Sequence, residues 1–247
     1  MTTHSQRLRE RIALVRGRLD SLIHEVWFHP RLSELFPEFL FAMYGITAAS
    51  APAMRAAAAR CSALATDDPL AAWLHEYYLE HAEEESGHEQ WLLDDLACFG
   101  IPRDQVLRRL PYPSVAALVG VQYYWMLHVH PIAYLGYISV VEEPASMEFL
   151  NAVSRRTGIS LSSMSGHVMH ARLDPDHVTE FDATLDSLPL LQHYQDLISV
   201  SAIATMAHLE NVFSDILEHF ERAADPASAA TIFTSPRIAL SFASREL

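Results

Sequence analysis

Apolar side chains recur at helical spacing from the beginning of the chain. In the first segment they return every three or four positions, at Leu8, Ile12, Val15, Leu19 and Ile23. Residues three and four apart lie on the same face of an α-helix, so this pattern predicts an amphipathic helix over residues 5–27.

Prolines, glycines and capping residues divide the rest of the chain into further helices. The predicted segments cover residues 36–45, 48–65, 69–99, 114–141, 146–156, 160–172 with a continuation to 188, and 190–222. Pro131 should bend the fourth long helix, and Asp174-Pro175 should mark a helix boundary or a kink. The tail, with Pro226 and Pro236, gives only weak signals. The pattern predicts an all-α fold in a single domain over residues 1–247.

Composition agrees with this interpretation and excludes several classes of function. Half of the 247 residues are hydrophobic, which is enough for a sizeable core. The net charge of −14 argues against a nucleic-acid partner or an anionic membrane. Two cysteines, Cys61 and Cys98, are too few for a disulfide framework and fit a reducing cytosol. The start of the chain lacks a signal-peptide pattern, and no uninterrupted apolar run indicates a membrane span. We expect a cytoplasmic protein.

The candidate chemistry begins within the third predicted helix. His81, Glu85 and His88 are spaced i, i+4 and i+7, which places them on one face of a helix over two turns. Imidazole and carboxylate groups are ligands that iron, manganese and zinc share. Glu84 lies close to His81 on the helical wheel and is either a ligand or a hydrogen-bonding neighbour of one. This stripe predicts a metal site.

The same spacing occurs a second time, and a further carboxylate follows the fourth helix. His170, Asp174 and His177 repeat the pattern, although Pro175 leaves the phase of His177 open. Glu142 comes at the end of an almost uncharged helix, where a carboxylate is either at the surface or coordinated to a metal. Helical bundles build carboxylate-bridged di-iron sites from inward-facing residues of this kind.

These segments resemble a known family. The stretch from Tyr78 through His81, Glu85 and His88 to Leu96 is similar to the heme-oxygenase-like diiron oxidases and oxygenases. Two further segments resemble the same family: the stretch from Gln122 to Glu142 and the set His170-x3-Asp174-x2-His177. The resemblance spans about residues 70–205 and implies a heme-oxygenase-like helical bundle. By position it implies six metal ligands: Glu85, His88, Glu142, His170, Asp174 and His177. His81 occupies a position where some family members have a carboxylate, so it is a seventh candidate.

The resemblance also implies a reaction class. Two Fe(II) ions would activate O2 as the co-substrate, with no catalytic residues beyond the metal ligands. The substrate would be a small amino-acid-derived or fatty-acyl metabolite of specialised biosynthesis. The expected outcomes are N-oxygenation, C–C cleavage or desaturation. The sequence leaves open a homodimer and an external electron donor.

Three alternatives stay open at this point. A metal-free enzyme of the same fold, like thiaminase II or pyrroloquinoline-quinone synthase, would use the histidines for acid–base chemistry. A true heme oxygenase would bind heme through His24 or His29. A non-catalytic bundle would only bind or store iron.

Overall fold

The fold was determined as a computed structural model that describes residues 2–142 and 145–224, with the side chains of residues 173–177 excepted. Its α-helices are α1 His4–Ala13, α2 Gly17–Trp27, α3 Leu32–Leu64, α4 Pro69–Glu84, α5 His88–Cys98, α6 Arg103–Arg108, α7 Pro113–His128, α8 Tyr134–Val141, α9 Met147–Thr157, α10 Ser165–Ser187 and α11 Gln192–Ala224. Short 3-10 segments cover Pro131–Ala133 and Leu161–Ser163. The described part of the chain contains no strand, and the all-α prediction is confirmed. The tail around Pro226 and Pro236, whose secondary-structure signals are weak, lies outside the described residues.

The first predicted helix is two helices. The chain turns between Ala13 and Gly17, and Leu14 and Val15 are 84% and 44% exposed there. The prediction that Val15 lies on the buried apolar face of the helix is therefore wrong. The turn lets α1 pack against α10 and α11 while α2 packs against α11 and α3. A straight helix over residues 5–27 would not reach both sets of neighbours.

The second and third segments, predicted as separate helices, form the single helix α3. Pro37 and Pro52 lie inside it and do not end it. An interior proline costs about 3 kcal/mol in a helix. Both faces of α3 are buried against α4, α5 and α7, with Leu35, Phe36 and Leu40 fully inaccessible. This burial outweighs the proline penalty, since one large apolar side chain contributes about 1.5–3 kcal/mol.

The bend predicted near Pro131 is confirmed and is a complete break between α7 and α8. His130 holds the break: its Nε2 donates to Asp68 Oδ2 over 3.0 Å, and its Nδ1 accepts from the Ile132 amide over 3.2 Å. Tyr194 on α11 donates to the same carboxylate oxygen over 3.1 Å. Asp68 also caps α4, so one carboxylate ties together three parts of the bundle.

Of the two predictions at Asp174-Pro175, a helix boundary or a kink, the boundary is wrong. Helix α10 runs through Pro175 from Ser165 to Ser187. Its amino-terminal part packs against α5, and other parts contact α1 and α9. Packing along both sides of the proline keeps the backbone helical where the local sequence favours a stop.

Among the described helices, α11 is long and apolar enough over Gln192–Ala223 to cross a membrane by length and composition alone. Half of its most apolar window is buried inside the bundle, against α8, α7 and α2. Its apolar face therefore belongs to the protein core.

Gly136 lies where two helices of the bundle approach each other closely. A Cβ atom built on Gly136 of α8 would lie 2.2 Å from the Ile198 carbonyl oxygen and 2.8 Å from the Ala202 amide nitrogen of α11. Both contacts are with backbone, which cannot rotate away as a side chain could. Only glycine allows α8 to lie this close to α11, and α8 leads directly to Glu142.

We predict that Gly136→Ala destabilises the protein by at least about 2–3 kcal/mol, because the methyl group forces α8 and α11 apart. Gly120→Ala on the exposed face of α7 is the matched control, since a Cβ there meets nothing within 4 Å. The control should be neutral or stabilise by up to about 1 kcal/mol. Urea unfolding of the two variants beside the parent measures both values. Equal midpoints for the two variants would contradict this account of the contact.

Candidate metal centre and its cavity

A cavity of about 540 Å³ lies among the helices that carry the predicted ligands. Its lining includes four of the predicted ligands, Glu85, His88, Glu142 and His170. Much of the rest of the lining is apolar and includes Trp27, Phe39, Met43, Phe149, Leu209 and Phe213. A largely apolar cavity of this size with a few polar side chains is typical of a small-molecule site.

The first ligand stripe is divided by a turn at Glu85–Gly87. Gly87 has φ +92°, in the left-handed region that favours glycine, and it ends the run of α4 before α5 begins at His88. The prediction of one uninterrupted helix over residues 69–99 is therefore wrong. His81 stays on α4, and His88 becomes the first residue of α5. The shared stripe becomes two separately oriented groups.

Glu85, His88 and His170 come together on the cavity wall. His88 Nδ1 lies 3.3 Å from Glu85 Oε1, and the His88 and His170 rings are 5.3 Å apart at 87°. Trp91 stacks on His88 with ring centroids 4.1 Å apart. Burial alone would raise the pKa of Glu85, but contact with His88 and the nearby imidazoles of His170 and His81 hold it below its ordinary value. Glu85 is therefore a carboxylate at neutral pH.

His81 and Glu142 form the second group. His81 Nε2 donates to Glu142 Oε1 over 2.7 Å. Burial lowers the pKa of His81, but the hydrogen bond to Glu142 and the charges of Glu85 and Glu84 raise it above its ordinary value. Glu142 lines the cavity and His81 stands behind it. Glu84 Oε2 is 3.8 Å from His81 Nδ1 and half exposed, so it touches His81 from the solvent side.

The third group is described only in part. His170 lines the cavity, while the side chains of Asp174 and His177 lie outside the described residues. The backbone of α10 is helical through both positions, so all three positions share one helix face by periodicity. Among the side chains that the structure does describe, no three His, Cys, Asp or Glu residues are arranged to hold one metal ion.

The other histidines and the cysteines take different places. His24 lies at the mouth of the cavity, whereas His29 is directed toward Glu221 and Phe220. His128 and His130 are not on the cavity wall, and neither are Cys61 and Cys98. A thiolate nucleophile is therefore not available at this cavity.

Asp95 was missed by the sequence reasoning. Its side chain is completely buried, and it accepts hydrogen bonds from the Ser165 amide (2.8 Å), the Ser165 hydroxyl (2.7 Å) and the Gly166 amide (3.0 Å). It thereby attaches the first turn of α10 to α5. His88 and His170 are carried by these two helices. Its sequence signal is weak, because Asp95 is one of two adjacent aspartates between leucines and only its position on the buried face of α5 distinguishes it from Asp94.

No protein-family model matches the sequence, and no curated protein matches it at a significant level. Several solved structures are similar in fold, and three of them are described here. A domain of unknown function with a heme oxygenase-like fold, from Shewanella denitrificans OS217, is 21% identical with a TM-score of 0.77, covering 89% of this chain and 94% of that one. A TenA homolog from Pseudomonas syringae pv. tomato DC3000 is 15% identical with a TM-score of 0.66, covering 86% and 92%. A TenA homologue from P. horikoshii OT3 is 12% identical with a TM-score of 0.59, covering 87% and 98%.

These likenesses establish the class of fold. The chain has a heme-oxygenase-like all-α fold, as the sequence resemblance implied. At 21% identity and below, they establish the fold alone, and they leave the single-domain boundaries and the role of each candidate ligand as predictions.

We predict that Asp95→Ala destabilises the protein by about 2–4 kcal/mol, because two buried amide groups of α10 lose their acceptor. The neighbouring Asp94→Ala is the control, since Asp94 is exposed and, among the residues that the structure describes, accepts a hydrogen bond from Gln90 alone. It should cost less than about 0.5 kcal/mol. Urea unfolding at pH 7 measures both. A loss of similar size in the two variants would show that Asp95 does not anchor α10.

A pH prediction follows from His167, which also lines the cavity. Burial, with a smaller effect of His170, lowers the pKa of His167 to about 4 from an ordinary value of 6.5. The unfolded chain therefore binds the extra proton first as the pH falls, and stability is lost between pH 6.5 and pH 4. His167→Phe should reduce the loss of unfolding free energy between pH 8 and pH 5 by about 2 kcal/mol. Urea titrations of both proteins with a chelator present measure this. An unchanged pH dependence would contradict it.

Proposed function

We propose that this protein is a non-heme diiron oxidase or oxygenase that activates O2 beside its cavity and acts on a small molecule. The observation that supports the proposal is that Glu85, His88, Glu142 and His170 all line the same cavity. These side chains come from the α4–α5 turn, the end of α8 and the start of α10, so three distant parts of the chain supply them.

The donor chemistry fits iron. Carboxylate oxygen and imidazole nitrogen are the ligand types of non-heme iron sites, and helical bundles hold two ions with them. Glu85 is ionised at neutral pH because of its histidine neighbours, so it is ready to bind a cation. The proposed ligands are Glu85, His88, Glu142 and His170, with Asp174 and His177 following on the same face of α10.

His81 has a supporting role in this proposal. Its hydrogen bond holds Glu142 in one orientation, as residues behind metal ligands commonly do. When bound, two ferrous ions would supply the electrons that reduce O2. The chain's own residues orient the ligands and keep a largely apolar chamber beside them, which restricts water near the reacting groups.

A metal-free enzyme is the second candidate. The likeness to two TenA homologues favours it, and the His81–Glu142 pair could move a proton at the cavity wall. Iron content of the purified protein separates the two candidates.

A heme protein would show a Soret band that His24→Ala removes. Of the two candidate heme ligands, His24 and His29, only His24 lines the cavity. Iron uptake without O2 consumption would indicate a non-catalytic iron-binding or iron-storage protein.

We predict different effects for the two histidines of the original stripe. His88→Ala should abolish iron binding and O2 uptake, because it removes a ligand directly. His81→Ala should keep measurable iron and show slow turnover, since losing a group behind a ligand typically costs about 10–100-fold. Iron per chain after anaerobic Fe(II) loading, and O2 uptake by the reduced protein, measure both.

The control for this pair is His75→Ala. His75 contacts the Ala58 carbonyl oxygen and does not line the cavity, so the variant should bind iron like the parent. Complete loss of iron binding and O2 uptake in both His81→Ala and His88→Ala would show that His81 is itself a ligand. Full iron binding in His88→Ala would refute the proposed centre.

A further inference from the structure

His167 is a cavity residue that the proposed metal centre does not use. It lies one helical turn before His170 on α10 and lines the same cavity. Its Nδ1 atom is enclosed and has no hydrogen-bond partner. His130 shows the contrasting structural case, because both of its ring nitrogens are paired within the protein.

The surroundings of His167 are aromatic. Its ring centroid lies 5.4 Å from Trp27, 5.3 Å from Phe39 and 6.1 Å from Phe36. None of these rings offers a strong acceptor to an imidazole. An unpaired buried polar group costs about 1–3 kcal/mol, and folded proteins keep few of them. A histidine in this position therefore requires a reason beyond packing, because a phenylalanine would pack there without that cost.

The unpaired Nδ1 atom indicates which tautomer is present. An enclosed N–H without an acceptor is rarer in proteins than an enclosed acceptor without a donor. The neutral ring therefore carries its hydrogen on Nε2. Nε2 makes no hydrogen bond within the described chain and is not among the enclosed atoms. Since the residue lines the cavity, we assign the Nε2–H group to the cavity side of the ring.

We propose that His167 Nε2–H is the hydrogen-bond donor of a substrate subsite. The substrate would be an uncharged molecule with an aromatic or aliphatic body and one acceptor oxygen, such as an amide, a ketone or an alcohol. The body would pack against Trp27 and Phe39. This inference rests on the proposed function only in taking the cavity as the place where the substrate binds.

The charges around the cavity favour an uncharged substrate over an anion. Glu85, Glu142 and Asp20 line it together with one arginine, Arg16, which pairs with Asp20 at the mouth. His167 stays neutral at pH 7 because burial lowers its pKa to about 4. An anion placed among Trp27, Phe36 and Phe39 would lose its hydration without gaining a cation. A neutral acceptor pays a much smaller desolvation cost and gains the His167 hydrogen bond.

The position of the subsite also orients the substrate. His167 and His170 are three residues apart on α10, about 4.5 Å along the helix axis, and lie on one face. An acceptor oxygen held at His167 would leave the neighbouring part of the molecule beside the proposed iron ligands. The subsite therefore selects which part of the substrate faces the centre.

The test uses the metal-free protein and four probes of similar size: benzamide, benzyl alcohol, toluene and benzoate. Calorimetry gives each Kd, and 15N NMR of histidine-labelled protein reports the His167 ring. Benzamide and benzyl alcohol should shift the His167 Nε2 resonance and bind about tenfold more weakly to His167→Phe. Toluene should bind the parent and the variant within about twofold. Benzoate should bind the parent more weakly than benzamide.

Two further variants complete the test. His167→Gln keeps an N–H donor and should recover part of the benzamide affinity. His24→Phe makes the same kind of change at the cavity mouth and should leave the benzamide-to-toluene preference unaltered. The proposal is overturned if no probe binds, if the His167 resonances do not respond, or if His167→Phe weakens toluene and benzamide equally. Because no metal is present, these results are independent of iron loading, whose failure would overturn the diiron proposal alone.

Discussion

The left-handed turn at Gly87 is the constraint on which the arrangement of the candidate site depends. A residue with a Cβ is strained at φ +92°, so glycine allows α4 to end and α5 to begin in a new direction. A continuous helix would present His81, Glu85 and His88 on one face. The turn instead directs His81 to Glu142 and leaves Glu85 and His88 together beside His170. One stripe thus contributes to two groups of donors.

The buried charges of this region stabilise each other. Isolated carboxylates in such a place would be protonated or expelled, because burial penalises the charged form. Glu85 has imidazoles around it and Glu142 accepts from His81. Asp95 accepts three hydrogen bonds from the start of α10, which offset only part of the burial that raises its pKa. Each of these buried carboxylates therefore has its own partners within the protein. Asp95 and Gly136 then control how α10 and α8 approach the cavity.

Likeness of fold and chemistry of the site contribute different parts of the functional argument. The three similar structures described above are 12–21% identical to this chain, so they establish the fold alone, and a fold by itself does not specify a reaction. The discriminating features are local: the cavity is lined by carboxylates and imidazoles together with many apolar side chains, and neither cysteine lines it. His167 adds a polar group that neither packing nor metal binding explains.

The sequence by itself determined the helical class, most helix positions and the identity of the donor residues, because these follow from local spacing and residue chemistry. The capping of α9 by Ser146 and the break at Pro131 are examples. It did not determine which prolines end a helix: Pro52 and Pro175 lie within helices because packing on several sides outweighs their local cost. It also missed the break at Gly87, the pairing of His81 with Glu142 and the anchor at Asp95. These depend on contacts between residues about 60 to 70 positions apart or on one backbone angle, and only the folded bundle brings such groups together.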